Sequence, residues 1–260
     1  MELNTKTPKL TVVGAGPGDA ELITLKAIKA IESANVILYD ALINEELLNY
    51  ASKDTEIIFV GKRKGCYAYQ QEQINELIVA RAKSHGHIVR LKGGDPFIFG
   101  RGAEEIDYAK QFNIETYVVP GVSSSFAVPA YQGIPLTKRG ASESFWVITG
   151  TTKFHKLSND VVLAAQSTAT VVILMGMGKL SEIVEIFKSQ NKQDLAVAII
   201  QNGTTVNEKV GFGTISTIEK VVEDQNLSSP AIIVIGDVVK ERVVLSSVIN
   251  DLKSKFIGIS

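Results

Sequence analysis

The sequence predicts an α/β protein of two α/β domains, the first on a mainly parallel sheet and the second on a mixed sheet. Three observations lead there. In the first half, short β-branched runs bounded by Gly, Asp or Pro alternate with amphipathic helical patterns. After the polar stretch Lys138-Arg139-Gly140 the strand runs continue while good helical patterns thin out. A chain of 260 residues that is 45% hydrophobic has material for one large core or two modest ones.

Taken in order, the first buried strand is Leu10 to Val13. Leu22, Leu25, Ile28 and Ile31 then fall on one helical face. Strands follow at Val36 to Tyr39 and Ile57 to Val60, and a second helical face carries Ile74, Leu77, Ile78 and Ala82. Ile88 to Leu91 and Thr116 to Val119 complete a set whose alternation argues a parallel sheet covered on both faces. Beyond the boundary, strands are expected at Phe145 to Thr149, Val171 to Leu174, Ala196 to Ile200, Lys209 to Phe212 and Ala231 to Ile235. The clearest helices there are Lys179 to Ser189 and Thr214 to Asp224. The domains are thus residues 1–139 and 140–240, with 241–260 as a helix or tail, the two left open.

Composition narrows the function classes. With 27 Lys+Arg against 28 Asp+Glu the net charge is -1, so anion recognition has to be local, and nothing global favours nucleic acid or an anionic membrane. The single cysteine, Cys66, excludes an internal disulfide and a multi-thiolate metal site, and fits a reducing cytoplasm. The N-terminal MELNTKTPKL lacks a signal-peptide core, and the run from Val171 to Gly178 is far below the roughly 18 residues a membrane helix needs, so neither membrane insertion nor export is expected. His85 and His87 flank Gly86 and His155 stands apart, so all three read as structural or surface residues and no metal is expected.

Three glycine-bearing motifs follow predicted strands. VVGAGPGDAELITLKA, Val12 to Ala27, resembles a dinucleotide-binding turn, with Asp40 where a ribose acid would stand. The spacing fails: the third glycine comes one residue early, Asp19 takes its place, and Pro17 removes a backbone donor. The turn suits close approach to a ligand without phosphates, or a tight turn alone. LKGGDPFIFGRGAEE, Leu91 to Glu105, is more specific: two glycines for close approach, Asp95 as an acceptor pair, and Phe97 and Phe99 as apolar walls, a composition for a neutral or cationic ligand. Its plain alternative is a strand-turn-helix junction with an Asp cap. VVPGVSSSFAVPAYQGIPLTKRG, Val118 to Gly140, places Ser123, Ser124 and Ser125 at a helix start, as caps or as ligand contacts.

In this order and at these separations the motifs resemble the tetrapyrrole methyltransferase family, and GGDPFIFGRG with GIPLT is similar to its branch acting on uroporphyrinogen III. The resemblance runs from about Leu10 to Val239, with TVVILMGMG, AVAIIQNGTT and SPAIIVIGDVV in the second half. It implies a cleft between two α/β domains that binds S-adenosylmethionine through Pro17, Gly93, Gly94, Asp95, Ile98, Ser123, Ser124, Met175, Gly203 and Ala231. The Ser pair is commonly Thr-Ala in the family, which implies a backbone contact there. Asp40, in LYD, matches a proton acceptor and Lys62, in VGKRKG, a proton donor. The implied reaction adds two methyl groups to uroporphyrinogen III, giving precorrin-2 and S-adenosylhomocysteine for sirohaem or cobalamin. A homodimer is implied by the same resemblance.

Elementary chemistry agrees with that implication. Methyl transfer from a sulfonium needs a carbon nucleophile held in line, and positioning supplies about 7 to 11 kcal/mol at best. The protein must also receive a proton and hold the substrate's carboxylate arms. Lys62, Arg63, Arg101, Lys138 and Arg139 are the candidate cations, and Asp40, Lys62 and Arg101 the candidate catalytic set; Lys64 reads as a solvated loop residue. Asp40 as a strand-end cap is the plain alternative. The competing functions are a methyltransferase of a later corrin intermediate or of the diphthamide precursor, a nicotinamide-dependent dehydrogenase, and a non-catalytic binding protein.

Overall fold

The computed structural model describes residues 7–61 and 69–243. Five parallel strands, β1 (Lys9–Gly14), β2 (Val36–Tyr39), β3 (Glu56–Phe59), β4 (His87–Lys92) and β5 (Glu115–Val119), form a sheet in the order β3-β2-β4-β1-β5. Tyr39 pairs with Phe59 on one side and Leu91 on the other, and Gly14 pairs with Lys92, so the carboxyl ends lie level. Successive side chains go to opposite faces. Val13, Ile37, Val89, Leu91 and Val119 pack on α1 (Leu25–Glu32) and the 3-10 turn Glu45–Tyr50, while Leu10, Val12, Val36, Leu38 and Ile88 pack on α2 (Gln71–His85) and α3 (Gly102–Lys110). Both faces are covered over the central strands β1, β2 and β4, which is why these are rich in apolar residues, while Ile57 on β3 and Tyr117 on β5 are exposed at the sheet edges.

The first helix departs from its expected face. Leu22 belongs to a separate 3-10 turn, Ala20–Leu22, and α1 begins at Leu25, where Thr24 Oγ1 accepts the Ala27 N–H at 3.1 Å. Ala27 and Ile31, one turn apart, are buried, and Leu25 is 79% exposed. Two residues on a helix differ by about 200° in direction, so a start fixed by Thr24 with Ala27 inward necessarily turns Leu25 out. On α2 the expected face holds: Ile74, Ile78 and Ala82 are buried.

At the opening of β4, His87 bridges β1 and the end of α1. Its Nδ1–H donates to the Ser33 carbonyl at 3.0 Å, which leaves Nε2 to accept the Thr11 hydroxyl at 2.8 Å. Burial pushes the imidazole below its ordinary 6.5, the Ser33 carbonyl opposing and Lys9 assisting. The folded state favours the neutral ring, so this contribution is present above pH 6.5 and is lost as the pH falls through the lowered value. His87→Gln is therefore expected to flatten the fall of Tm on that acid side; a Tm profile parallel to that of the unsubstituted protein would rule the assignment out.

In the second half, β6 (Phe145–Thr149), β7 (Thr170–Leu174), β8 (Ala196–Gln201), β9 (Lys209–Thr214) and β10 (Ala231–Ile235) form a sheet in the order β6-β7-β10-β8-β9. Only the β6–β7 pair is parallel, so the sheet is mixed as expected. One face packs on α5 (Asp160–Gln166), α6 (Leu180–Ser189) and α7 (Ile218–Asp224) through Val161, Ile183, Phe187 and Ile218. The other packs on Val128 of α4 (Ser124–Tyr131), Ile134, Val238 and Val239. Helix α5 has no counterpart in the sequence reading, and α7 starts at Ile218 because Thr214 closes β9 and Thr217 Oγ1 accepts the Thr214 N–H.

The chain divides into two compact units: the described residues up to Ala127 with Thr204–Val206, and Val128–Gly203 with the described residues from Asn207. The change of unit falls inside α4, whose Val128 joins the core of the second sheet. Lys138-Arg139-Gly140 lies in the second unit, where Lys138 and Ser142 exchange backbone hydrogen bonds, both at 2.9 Å. Residues 244–260, the greater part of the expected tail, lie outside the described residues. No helix among the described residues is long and apolar enough to cross a membrane.

Candidate active site

The motif residues of the first unit gather at the carboxyl edge of its sheet, where α/β proteins place ligands. There the loops after β1, β4 and β5 meet backbone to backbone. Gly94 donates to the Gly16 carbonyl at 2.6 Å and accepts the Gly16 N–H at 3.2 Å, and the Ala15 N–H reaches the Lys92 carbonyl at 2.7 Å. A Cβ on Gly121 would lie 2.3 Å from the Gly94 oxygen, and one on Gly14 would lie 2.5 Å from Gly121 Cα. Gly94 itself is different. Its φ is +68°, and a Cβ there would meet only Ser124 N, at 3.8 Å.

Asp95 braces this junction. Its Oδ1 accepts the Phe97 N–H at 2.8 Å and its Oδ2 the Gly121 N–H at 3.0 Å. Both oxygens of the expected acceptor pair thus bond the backbone and hold the two loops together. The Ser123 hydroxyl is similarly occupied: it is buried, lies 2.9 Å from Ser125 Oγ and accepts the Ser125 N–H at 3.2 Å. Pro17 stands partly exposed between Gly16 and Gly18, both at positive φ. A 3-10 turn capped by Asp19 separates this loop from α1, whereas a dinucleotide-binding turn runs from its glycines directly into the helix. That geometry disfavours the dinucleotide alternative.

Asp40 follows β2. Its Oδ1 accepts the Leu42 N–H at 3.0 Å, and its Oδ2 lies 3.4 Å from Arg90 Nη2. Behind it, Arg90 Nε donates to Glu105 Oε1 at 3.2 Å, and Lys92 Nζ reaches the same oxygen at 2.9 Å. Arg90 and Lys92 alternate on one face of β4, and Glu105 on α3 is fully buried. Burial pushes the Lys92 ammonium down, Arg90 adds to that, and Glu105 with Asp40 opposes it. Arg90 and Lys92 had no place among the candidates. The available signal was a pair of alternating cations inside an otherwise apolar central strand.

The segment Pro96–Arg101 is a tight, strained loop. The Pro96 carbonyl accepts the Gly102 N–H at 3.0 Å, a Cβ on Gly100 would sit 2.6 Å from that oxygen, and Phe99 and Arg101 adopt φ of 55° and 59°. Left-handed backbone at two non-glycine residues costs about 1–3 kcal/mol each and concentrates at functional sites. Phe97, Ile98 and Phe99 are exposed. Arg101 is gripped by Glu104, with Nε 3.1 Å from both carboxylate oxygens and Nη2 2.6 Å from Oε2, and this pairing raises the guanidinium pKa further.

In the second unit, Met175, Gly203 and Ala231 come to one edge of the mixed sheet. Met175 follows β7, Gly203 follows β8, and Ala231 opens β10, whose Ile232 pairs with Leu174 and whose Ala231 pairs with Gln201. Met175 is 52% exposed at φ 57°, a left-handed non-glycine residue with its side chain outward. A Cβ on Gly203 would lie 2.3 Å from Val128 Cγ1. Gly203 is thereby packed close against α4.

Residues 9–219 match the family model of tetrapyrrole (corrin/porphyrin) methylases. The chain belongs to this family. Among relatives of this methylase, the uroporphyrinogen-III C-methyltransferase of Methanocaldococcus jannaschii is 48% identical over 235 residues, 90% of this chain and 97% of that one. A sirohaem synthase of Pectobacterium atrosepticum is 42% identical over 92% of this chain but 51% of its own length, so the methylase spans about half of that protein. A crystal structure of uroporphyrin-III C-methyltransferase from Thermus thermophilus, complexed with S-adenosylhomocysteine, superposes with a TM-score of 0.76 at 33% identity, covering 89% of this chain and 99% of that one. A cobalt-precorrin-4 methyltransferase, TM-score 0.79 at 23% identity, shares the fold.

Of the methylase's remaining candidates, Lys62 and Arg63 lie outside the described residues. Lys138 is exposed and paired with Glu241, and Arg139 is exposed. His85 lies 3.7 Å from Glu56, and among the described residues no three His, Cys, Asp or Glu side chains gather as metal ligands.

Proposed function

We propose that the chain is an S-adenosylmethionine-dependent C-methyltransferase that adds two methyl groups to uroporphyrinogen III, giving precorrin-2 and S-adenosylhomocysteine for sirohaem or cobalamin biosynthesis. The observation that carries this is the 48% identity along 97% of the Methanocaldococcus jannaschii enzyme. The Thermus complex with S-adenosylhomocysteine supports the methyl donor.

The first unit suits such a donor. The glycine junction brings bare backbone to the sheet edge, and a Cβ at Gly94 would meet only Ser124 N, at 3.8 Å, so the space beside that backbone is open. Gly93, Gly94, Ile98, Pro17 and the Ser124 backbone are the groups of this unit proposed to hold it, with Asp95 and Ser123 fixing the loops that carry them. Met175, Gly203 and Ala231 are the candidates of the second unit. When bound, the sulfonium supplies an electrophilic methyl group.

The protein's part is to orient a pyrrole carbon that is already electron-rich, and then to receive a proton. Asp40 is proposed to receive it on Oδ2, since Oδ1 is committed to Leu42 N–H. Exposed Phe97 and Phe99 offer apolar surface to a macrocycle, and Arg101, Arg63, Lys138 and Arg139 offer cations to its carboxylates. Lys62 is proposed as the proton donor. We place the protein in the cytoplasm as a homodimer; the single cysteine supports the compartment, and sedimentation analysis tests the dimer.

Anaerobic incubation with S-adenosylmethionine and uroporphyrinogen III, followed by mass spectrometry, is expected to show a gain of two methyl groups, with S-adenosylhomocysteine released in proportion. An unmodified tetrapyrrole, from protein that still binds S-adenosylhomocysteine, would move the substrate to a later corrinoid. Arg101→Ala is expected to lower kcat/KM for the tetrapyrrole by roughly tenfold or more, the scale of a lost charge-assisted carboxylate contact. Stability should change by about 1 kcal/mol or less, because the Arg101–Glu104 pair is exposed. Unchanged steady-state kinetics would exclude Arg101 from the site.

A further inference from the structure

We propose that Arg90 positions the Asp40 carboxylate, and that Glu105 and Lys92 lock Arg90 in place from the buried side. The inference rests on the reading of Asp40 as proton acceptor. Every nitrogen of the guanidinium is engaged: Nη2 faces Asp40 Oδ2 at 3.4 Å, Nε meets Glu105 Oε1 at 3.2 Å, and Nη1 reaches the carbonyls of Leu91 at 2.8 Å and Leu38 at 3.5 Å. A planar fork held at three corners has no rotational freedom. Glu105 is held in turn by Lys92 Nζ at 2.9 Å and Gln71 Nε2 at 3.2 Å.

Stability alone gives no reason for this set. Buried ion pairs rarely outperform apolar residues of similar volume, because desolvation consumes the Coulombic gain. The flanking residues of β4, Val89 and Leu91, are apolar and fully buried. Here two cations and two anions alternate in sequence of contact, Asp40, Arg90, Glu105, Lys92, so their charges sum to zero. Among the described residues the chain is fully buried at Glu105 and most open at Asp40, whose side chain keeps 22% exposure. A balanced internal network that surfaces at one carboxylate is suited to orienting it. Leu42 N–H fixes Oδ1, Arg90 fixes the direction of Oδ2, and the plane of the carboxylate is thereby defined.

The test is a double-mutant cycle of Arg90→Lys and Asp40→Asn, with kcat, KM for both substrates and S-adenosylhomocysteine affinity measured for all four proteins. Lysine keeps the charge and loses the fork. Arg90→Lys is expected to lower kcat by roughly tenfold, with KM and affinity within about twofold, and to change kcat by less than about twofold when Asp40 is already Asn. An equal effect in both backgrounds would overturn the positioning role, since a general structural defect does not depend on Asp40. Full kcat in Asp40→Asn would instead remove the reading on which the inference rests. If Arg90→Lys does not fold, the neutral pair Arg90→Gln with Glu105→Gln enters the same cycle under the same criteria.

Discussion

Replacing Asp40 by Asn is expected to lower kcat on uroporphyrinogen III by about 10² to 10⁴, the range of a general base, while S-adenosylhomocysteine still binds. The substitution keeps the shape and the acceptor: Asn Oδ1 still takes the Leu42 N–H, so the turn after β2 survives. It removes the negative charge and the proton affinity at the position facing Arg90. Arg90 retains Glu105 as a counter-ion but loses a charged partner at a buried nitrogen, so destabilisation of about 1–3 kcal/mol is expected. Anaerobic initial rates, with affinity measured by calorimetry on the same protein, separate the two effects. A fall in kcat of less than about tenfold would make Asp40 the strand-end cap that its hydrogen bond to Leu42 also describes, and the proton would have to go elsewhere.

The central strands were legible because both faces of the first sheet are buried there. Val36–Tyr39 shows a continuous apolar run, and Leu10–Val13 one broken only by Thr11, where a half-exposed strand would alternate. Helix phase was less legible. The four apolar residues from Leu22 to Ile31 fit a helical face, but the cap at Thr24 decided which of them turn inward. Helix α5 buries Val161, Ala164 and Ala165 but exposes Val162 and Leu163, so its apolar residues run consecutively and mark no face. At the site, the sequence located the glycine turns but not the use of their polar groups. The bracing role of Asp95 was not legible because its partners, the N–H groups of Phe97 and Gly121, are backbone and carry no sequence signature. Arg90 and Lys92 were hidden for the converse reason. A strand identified by its apolar residues draws attention away from its charged ones, and Glu105, their shared partner, comes from α3.

Two alanine substitutions, one at Gly121 and one at Gly94, are expected to separate packing from ligand approach. A Cβ on Gly121 would lie 2.3 Å from the Gly94 oxygen and 2.7 Å from Gly14 Cα, all backbone atoms, so no side-chain rotation relieves the clash. Three loops would have to part, and the loss is expected at or above the roughly 3 kcal/mol upper range of overpacking, with little folded protein recovered. Gly94→Ala meets only Ser124 N at 3.8 Å, and its cost is the φ of +68°, about 1–2 kcal/mol for an L residue. That lowers Tm by a few degrees in a chain of this size and leaves the fold intact. If Gly94 is a glycine so that the methyl donor can approach the backbone, the added methyl group should weaken S-adenosylhomocysteine binding at least tenfold, about 1.4 kcal/mol. Unchanged affinity with the same modest loss of Tm would mean that Gly94 serves the turn alone, its N–H and carbonyl paired with Gly16, and that the donor is held elsewhere on the sheet edge.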